Sequence, residues 1–229
     1  MGTNAPRVTR RAAGRHRDGF DYGASTMIES GAVLKEALAL VRRALKERGF
    51  SAKGVNFHRK SQDGNVIMLS IQKSTTSTVA ASLVTLNYGV YSALLGSKFQ
   101  DEPGAATDIW RAHWRKRLSD GGREKWLTIA ATDSPDVCAQ VILGAVQSVL
   151  PELVAHSTNP ALRDEWLGGA SPGLTDMNRL LYAAVLVNQI GPVERIAEVL
   201  GELRASVADS VHEALVEREL ARAGVQSAP

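Results

Sequence analysis

Two neighbouring strands are encoded by residues 55–74, which read VNFHRKSQDGNVIMLSIQKS. In the second half, Ile67, Leu69 and Ile71 alternate with other residues, and this period of two is typical of a strand with one buried face. Asp63 and Gly64 separate the halves, and an Asp-Gly pair readily adopts the positive φ angles of a tight turn. The stretch therefore predicts an antiparallel hairpin.

The segments on either side extend this hairpin into a larger unit. Residues 79–91 form a third alternating run that includes Leu86 and Tyr88. Upstream, residues 27–48 place Leu and Val at steps of three and four, which predicts an amphipathic helix. Thr26 and Glu29 have the spacing of a capping box at its start. A helix followed by an antiparallel meander indicates an α+β fold.

The rest of the chain is mainly helical in pattern. We expect a loop over residues 96–107, a further strand over 126–131, and a helix over 135–153 that begins at a Ser-Pro pair. Residues 110–118 fit either a helix or a strand. Further helices are predicted over residues 159–167, 176–190, 192–204 and 206–223.

The predicted architecture is α+β, with an antiparallel sheet of about four or five strands packed by helices and followed by a C-terminal helical region. We expect three parts: a basic disordered tail over residues 1–26, the α+β domain over 27–155, and the helical region over 156–229. A basic arm that binds a polyanion and a processed targeting peptide are the alternatives for the tail.

Composition excludes several classes of protein. Of 229 residues, 44% are hydrophobic and 22% charged, as in ordinary globular proteins. The net charge of +3 is carried by the tail, and the basic and acidic side chains of the remaining residues are equal in number. Nucleic acid is therefore not an expected partner. No run reaches the roughly 18–20 uncharged apolar residues of a membrane span, and no secretory signal is present. We therefore expect a cytoplasmic protein without a membrane partner.

Motifs for metals, cofactors and catalysis are missing from the sequence. The five histidines are scattered, and Cys138 is the single cysteine. No phosphate loop, zinc-protease motif or nucleophile elbow occurs. We therefore expect no metal, no cofactor and no catalytic residues.

One face of the predicted meander carries polar side chains. Strand alternation places Gln72 and Ser74 opposite the apolar residues of their strand, and Asn87 lies on the polar side of the next strand. A solvated outer face is the simplest interpretation of such a pattern. The alternative is a surface that binds a ligand or a partner, for which these three residues are candidates.

Residues 110–117 combine two tryptophans, one histidine and four basic side chains. Arginine suits carboxylates and phosphates, and both Trp and Arg are frequent in the energetic centres of protein interfaces. The candidates for partner or ligand binding are His113, Trp114, Arg115 and Arg117. In the alternative interpretation, Trp110 and Trp114 are core anchors and the arginines form their solvated side.

Several short motifs occur in a distinctive order. They are Glu47-Arg48-Gly49-Phe50, Phe57-His58-Arg59, Ile71-Gln72-Lys73-Ser74, Asn87-Tyr88-Gly89-Val90, His113-Trp114-Arg115-Lys116-Arg117-Leu118 and Trp126. In this order they resemble DUF4304, a bacterial family of domains of unknown function, over residues 30–130. The family pattern implies paired tryptophans after the basic segment, where this chain has Lys125 and Trp126. The family has no assigned activity, so the resemblance implies a fold and no function.

Taken together, these features predict a non-enzymatic cytoplasmic module that binds a protein partner through the polar sheet face and residues 110–117. An immunity or regulatory role in a bacterial conflict system is one refinement. The alternative is a ligand-binding protein, or an enzyme acting on a small molecule or phosphoryl group, that uses Gln72, Ser74, Asn87, His113 and Arg117 on one surface. A small anionic ligand would fit this alternative. A third hypothesis is a dimer built through the apolar helix 176–190.

Overall fold

A computed structural model describes residues 29–102 and 105–225, and it contains an antiparallel sheet. The fold is α+β, as predicted. The proposed tail and the capping residue Thr26 lie outside the described residues. The main strands are β1 (Ser51–Lys53), β2 (Asn56–Lys60), β3 (Val66–Lys73), β4 (Ala81–Tyr91), β5 (Trp114–Arg117) and β8 (Leu127–Ala130), and β6 (Ser119–Asp120) and β7 (Arg123–Glu124) form a separate small hairpin.

Strand β4 is the centre of the sheet. Strands β1 to β4 follow one another in order, and the far edge of β4 is shared by two short strands. The first half of β4 pairs with β8, and its second half pairs with β5. This arrangement brings the basic segment 114–117 directly beside the polar residues of β4, with β3 one strand further away.

The register divides the sheet into two faces as the alternation predicts. Phe57, Leu69 and Tyr88 are opposite one another on adjacent strands and form part of the first face, which is buried. Ser70 and Asn87 are likewise paired and lie on the second face. The sequence-based assignment of strand faces in this meander is therefore confirmed.

The first face is covered by α1 (Ser30–Glu47) and α3 (Pro135–Ala155), which also pack on each other. In α1, Val33, Ala37 and Val41 follow at four-residue steps and are buried. The N-cap of this helix is Glu29, which makes no side-chain capping hydrogen bond, so the capping box predicted with Thr26 does not begin the described helix. The helix ends where Gly49 adopts a φ of +81°, a conformation that suits glycine.

Helix α3 is long and apolar enough, by length and composition, to cross a membrane, and it alone meets this test among the described helices. Seven of its residues, including Ile142 and Val146, are buried. They pack against α1 and the sheet.

Several elements differ from the predicted pattern. Strand β1 has no predicted counterpart, and the last two helices cover Ile196–Val207 and Glu213–Ala223 rather than 192–204 and 206–223. A short helix, α2 (Ala93–Lys98), occupies the start of the region expected to be a loop, because the Ser92 hydroxyl accepts the Leu95 N–H and Leu95 is fully buried. The ambiguous segment is a 3-10 turn over Ile109–Arg111 followed by strand β5. The turn breaks the strand alternation, so Trp110 and Trp114 do not share a face.

The C-terminal region contains α4 (Asn159–Leu167), α5 (Asp176–Ile190), a 3-10 turn (Val193–Arg195), α6 (Ile196–Val207) and α7 (Glu213–Ala223). One continuous hydrophobic core joins these helices to the sheet and α3. Helix α5 lies at the centre of the region, and every residue from Ala183 to Val187 is fully buried. This burial removes the apolar surface on which the hypothesis of a dimer through α5 depends.

Candidate functional site

A polar network on the second face joins three of the predicted residues. The Arg117 Nε–H donates to Asn87 Oδ1 at 3.0 Å, and the Asn87 amide donates to Gln72 Oε1, also at 3.0 Å. The second guanidinium nitrogen of Arg117 donates to the same Gln72 oxygen at 3.3 Å. Gln72 and Asn87 thus hold the Arg117 guanidinium in one orientation.

The remaining nitrogen of Arg117 pairs with a carboxylate from the small hairpin. Arg117 Nη1 donates to Glu124 Oε1 at 2.6 Å, and the Glu124 side chain is about half exposed. A partly exposed ion pair of this kind contributes only about 0.2–1 kcal/mol.

Arg115 lies two residues before Arg117, on the same face of β5. Its Nη1 donates to the Trp110 carbonyl at 2.6 Å, and its guanidinium carbon is 5.7 Å from the centre of the Trp110 ring. The Trp110 side chain is 54% exposed, which is a large apolar surface for a lone aromatic. This exposure corrects the interpretation of Trp110 as a core anchor. The ring is exposed because the 3-10 turn directs it outward.

A loop from the C-terminal region closes this site on one side. The Arg115 N–H donates to the Pro172 carbonyl at 3.4 Å. Gly173 has a φ of +70°, and a Cβ atom there would lie 2.3 Å from Arg115 Cγ, so only glycine fits. An open groove of about 570 Å³, here called the Trp110 groove, is lined by Trp110, Arg115, Arg117 and this loop.

The groove is electropositive. Arg115 and the neighbouring exposed Arg111 form no ion pair with a carboxylate in residues 29–102 and 105–225. Lys116 points to the opposite face, where it binds Glu152 together with the Tyr88 hydroxyl. Although burial raises the pKa of Glu152, these hydrogen bonds and the nearby positive charges outweigh it and lower the pKa overall.

His113 is enclosed behind the groove. Its side chain is 4% exposed, and Nδ1 accepts the Ser92 N–H at 3.0 Å, so in the neutral ring the proton is on Nε2, which faces Asp101 at 3.9 Å. Burial lowers the pKa of His113 to about 4; the Asp101 charge opposes this shift and Arg111 adds to it. Asp101 also accepts the Tyr91 hydroxyl at 2.9 Å.

Trp114 is a core residue. It is fully buried and stacks on the His156 ring with centroids 4.5 Å apart. As a direct contact for a partner, the candidate Trp114 is therefore corrected, because its side chain does not reach the surface. His113 is almost completely buried, but it borders the two cavities next to the groove.

The structure brings Gln72, Asn87, Arg115 and Arg117 together and separates Ser74 from them. Ser74 lies in the turn after β3, where its hydroxyl bonds that of Thr76 at 2.8 Å. The enzyme alternative uses Gln72, Ser74, Asn87, His113 and Arg117, and the polar network joins three of these, Gln72, Asn87 and Arg117.

Sequence reasoning missed Glu124 and the 172–173 loop. No local pattern identifies them, because their relevance comes from contacts with β5 that are distant along the chain. Within the described part of the chain, no group of three or more His, Cys, Asp or Glu side chains is placed to hold a metal ion.

Comparison with known proteins gives a family and no activity. The model of the family described as a domain of unknown function (DUF4304) matches residues 41–156, about half of the chain. No curated protein and no solved structure matches the chain. The match covers α1 from Val41, the complete sheet and α3, which are the elements that position the polar network. The chain belongs to the DUF4304 family of domains of unknown function.

Proposed function

We propose that this protein is a cytoplasmic binding module that engages a protein partner through the Trp110 groove. The observation that carries the proposal is the exposed Trp110 ring stacked with Arg115. Trp and Arg are the residue types that most often dominate binding energy, and a side chain already held in place loses little conformational freedom on binding.

The neighbouring network supports the same function. Gln72 and Asn87 fix the guanidinium of Arg117, so a partner group meets an oriented donor rather than a mobile one. Such preorganisation favours binding because the cost of ordering the side chain is met during folding. No set of nucleophile, base and orienting group accompanies the network within the described residues, which favours binding over catalysis.

Site-specific photo-cross-linking tests the proposal. A benzophenone amino acid replaces Trp110 in one variant, where its aromatic rings retain the apolar contact surface of the indole. In a control it replaces Val211, which is 89% exposed and in the C-terminal region. In the protein's own cells, we expect the Trp110 variant to form one discrete cross-linked product and the Val211 variant to form none. Combining the probe with Arg115→Ala and Arg117→Ala should reduce this product by about tenfold.

Two controls make the result interpretable. Arg43→Ala removes an exposed arginine from α1, on the other side of the sheet, and should leave the product unchanged. Thermal unfolding shows whether the double variant is folded. Equal cross-linking from both probe positions, or an undiminished product from a folded double variant, contradicts the proposal.

A further inference from the structure

The Trp110 groove continues into the boundary between the sheet and the C-terminal helices. Trp110, Arg115 and Gly173 also line a smaller cavity of about 160 Å³. That cavity shares Arg111 and Tyr182 with a third cavity of about 400 Å³, which lies against α5 and α7. Because neighbouring cavities share these lining residues, the three lie side by side, and together they are called the cleft below.

Four guanidinium groups lie along this cleft, and one of them, Arg222, is at its far end against α7. Arg111 borders the inner cavities, and Arg115 and Arg117 border the groove. Arg115 and Arg117 are two residues apart on the same face of β5, so their Cα atoms are about 7 Å apart. An extended peptide presents residues i and i+2 on one side at the same spacing, and carboxylates are the natural partners of these guanidinium forks.

Glu124 already occupies the position of one such carboxylate. It pairs with Arg117 at 2.6 Å, whereas Arg115 has no carboxylate partner among the described residues. The small β6–β7 hairpin therefore supplies, through Glu124, an internal competitor for Arg117. Arg115 is available to a carboxylate of a partner.

The charge distribution distinguishes a peptide from a continuous polyanion. Three carboxylates (Asp101, Glu102 and Glu219) and two guanidinium groups (Arg111 and Arg222) line the far end of the cleft, so acidic groups are in excess there. A phosphate backbone running through the cleft would be repelled there, whereas a peptide can place acidic residues only at the arginines. Because the Pro172 carbonyl accepts the Arg115 N–H, strand addition at this point of β5 is blocked, and recognition falls to side chains.

We propose that the cleft binds an extended acidic peptide segment of the partner, with two Asp or Glu residues at positions i and i+2 facing Arg115 and Arg117. The inference rests on the proposed function and names the chemistry of the partner. Glu124 competes with one of the two acidic residues, so partner binding displaces it from Arg117.

A phage-displayed library of random peptides, selected against the immobilised full chain, tests the inference. We expect selected peptides to be enriched in acidic pairs at i and i+2. For a selected peptide, fluorescence anisotropy should show about tenfold weaker binding to Arg115→Ala, as expected for loss of a charge-assisted contact. Glu124→Gln should bind about threefold more tightly, because it removes the competing carboxylate.

The Arg115→Ala and Glu124→Gln substitutions are expected to change the affinity in opposite directions, which separates this mechanism from loss of folding. Arg43→Ala should leave the affinity unchanged. A selection without acidic pairs, or weaker binding by a folded Glu124→Gln variant, overturns the inference. If oligodeoxythymidylate displaces the labelled peptide at a lower concentration than the unlabelled peptide does, the inference is also overturned, in favour of nucleic acid. If cross-linking from Trp110 persists while the peptide selection fails, the proposed function stands and only the acidic-peptide inference is lost.

Discussion

At the scale of single residues, His113 makes the stability of this protein depend on pH. Its pKa is about 4 in the folded chain and 6.5 in its ordinary state. As the pH falls, the unfolded chain therefore binds the proton first, so the stabilisation is complete above 6.5 and is lost towards 4. The charged and titratable groups around the ring are Asp101, Arg111, Tyr91 and Tyr182.

The variant His113→Asn tests this linkage. The Asn oxygen can accept the Ser92 N–H in place of Nδ1, but it does not titrate. When the pH is lowered from about 7 to 5, the free energy of unfolding should fall by about 2 kcal/mol more in the unsubstituted protein than in the variant. Urea unfolding at the two pH values measures this difference. Equal losses in both proteins would show that His113 is not the titrating group.

At the scale of elements, the pairing of β4 with β5 depends on Gly89. A Cβ atom at this position would lie 2.4 Å from the Trp114 carbonyl, which is backbone and cannot give way without moving β5. Gly89→Ala should therefore destabilise the chain by about 2 kcal/mol or more. It should also weaken partner binding, because β5 carries Arg115 and Arg117. Chemical denaturation and the anisotropy assay measure the two effects.

Gly144 provides the matched control for this substitution. It lies exposed inside α3, and a Cβ atom there would have no neighbour within 4 Å. Gly144→Ala should stabilise the chain by about 0.5–1 kcal/mol through helix propensity. If the two alanine variants had the same stability, the close approach of β5 to Gly89 would not be a constraint.

At the scale of the whole molecule, the continuous core predicts cooperative unfolding. Trp114 in the sheet stacks on His156, and the buried Leu162 and Trp166 belong to the same core as the strands. We expect fluorescence and circular dichroism to report one coincident unfolding transition. A fragment of residues 27–155 should lack a cooperative transition, because it loses the helices that cover this part of the core. A fragment that unfolds cooperatively would show that the α+β part is an independent domain.

The family motifs acquire physical meaning only in three dimensions. The Asn87-Tyr88-Gly89 motif supplies a network amide, a first-face phenol that bonds Glu152, and the glycine that admits β5. The basic motif divides between the two faces, since Lys116 faces α3 and Arg117 faces the groove. Alternation along a strand predicts this division, but it cannot show which groups the two faces meet.

The sequence alone determined the α+β class, the hairpin over residues 55–74, the faces of β3 and β4, and the helices that follow the capping residues Ser134 and Thr175. These features depend on periodicity and capping, which are properties of neighbouring residues. The tertiary structure decided that Trp110 is exposed and Trp114 buried, that Glu124 opposes Arg117, and that Pro172 and Gly173 close the groove. Each of these depends on contacts between segments distant in the chain, and no local pattern encodes which segment will cover a given side chain.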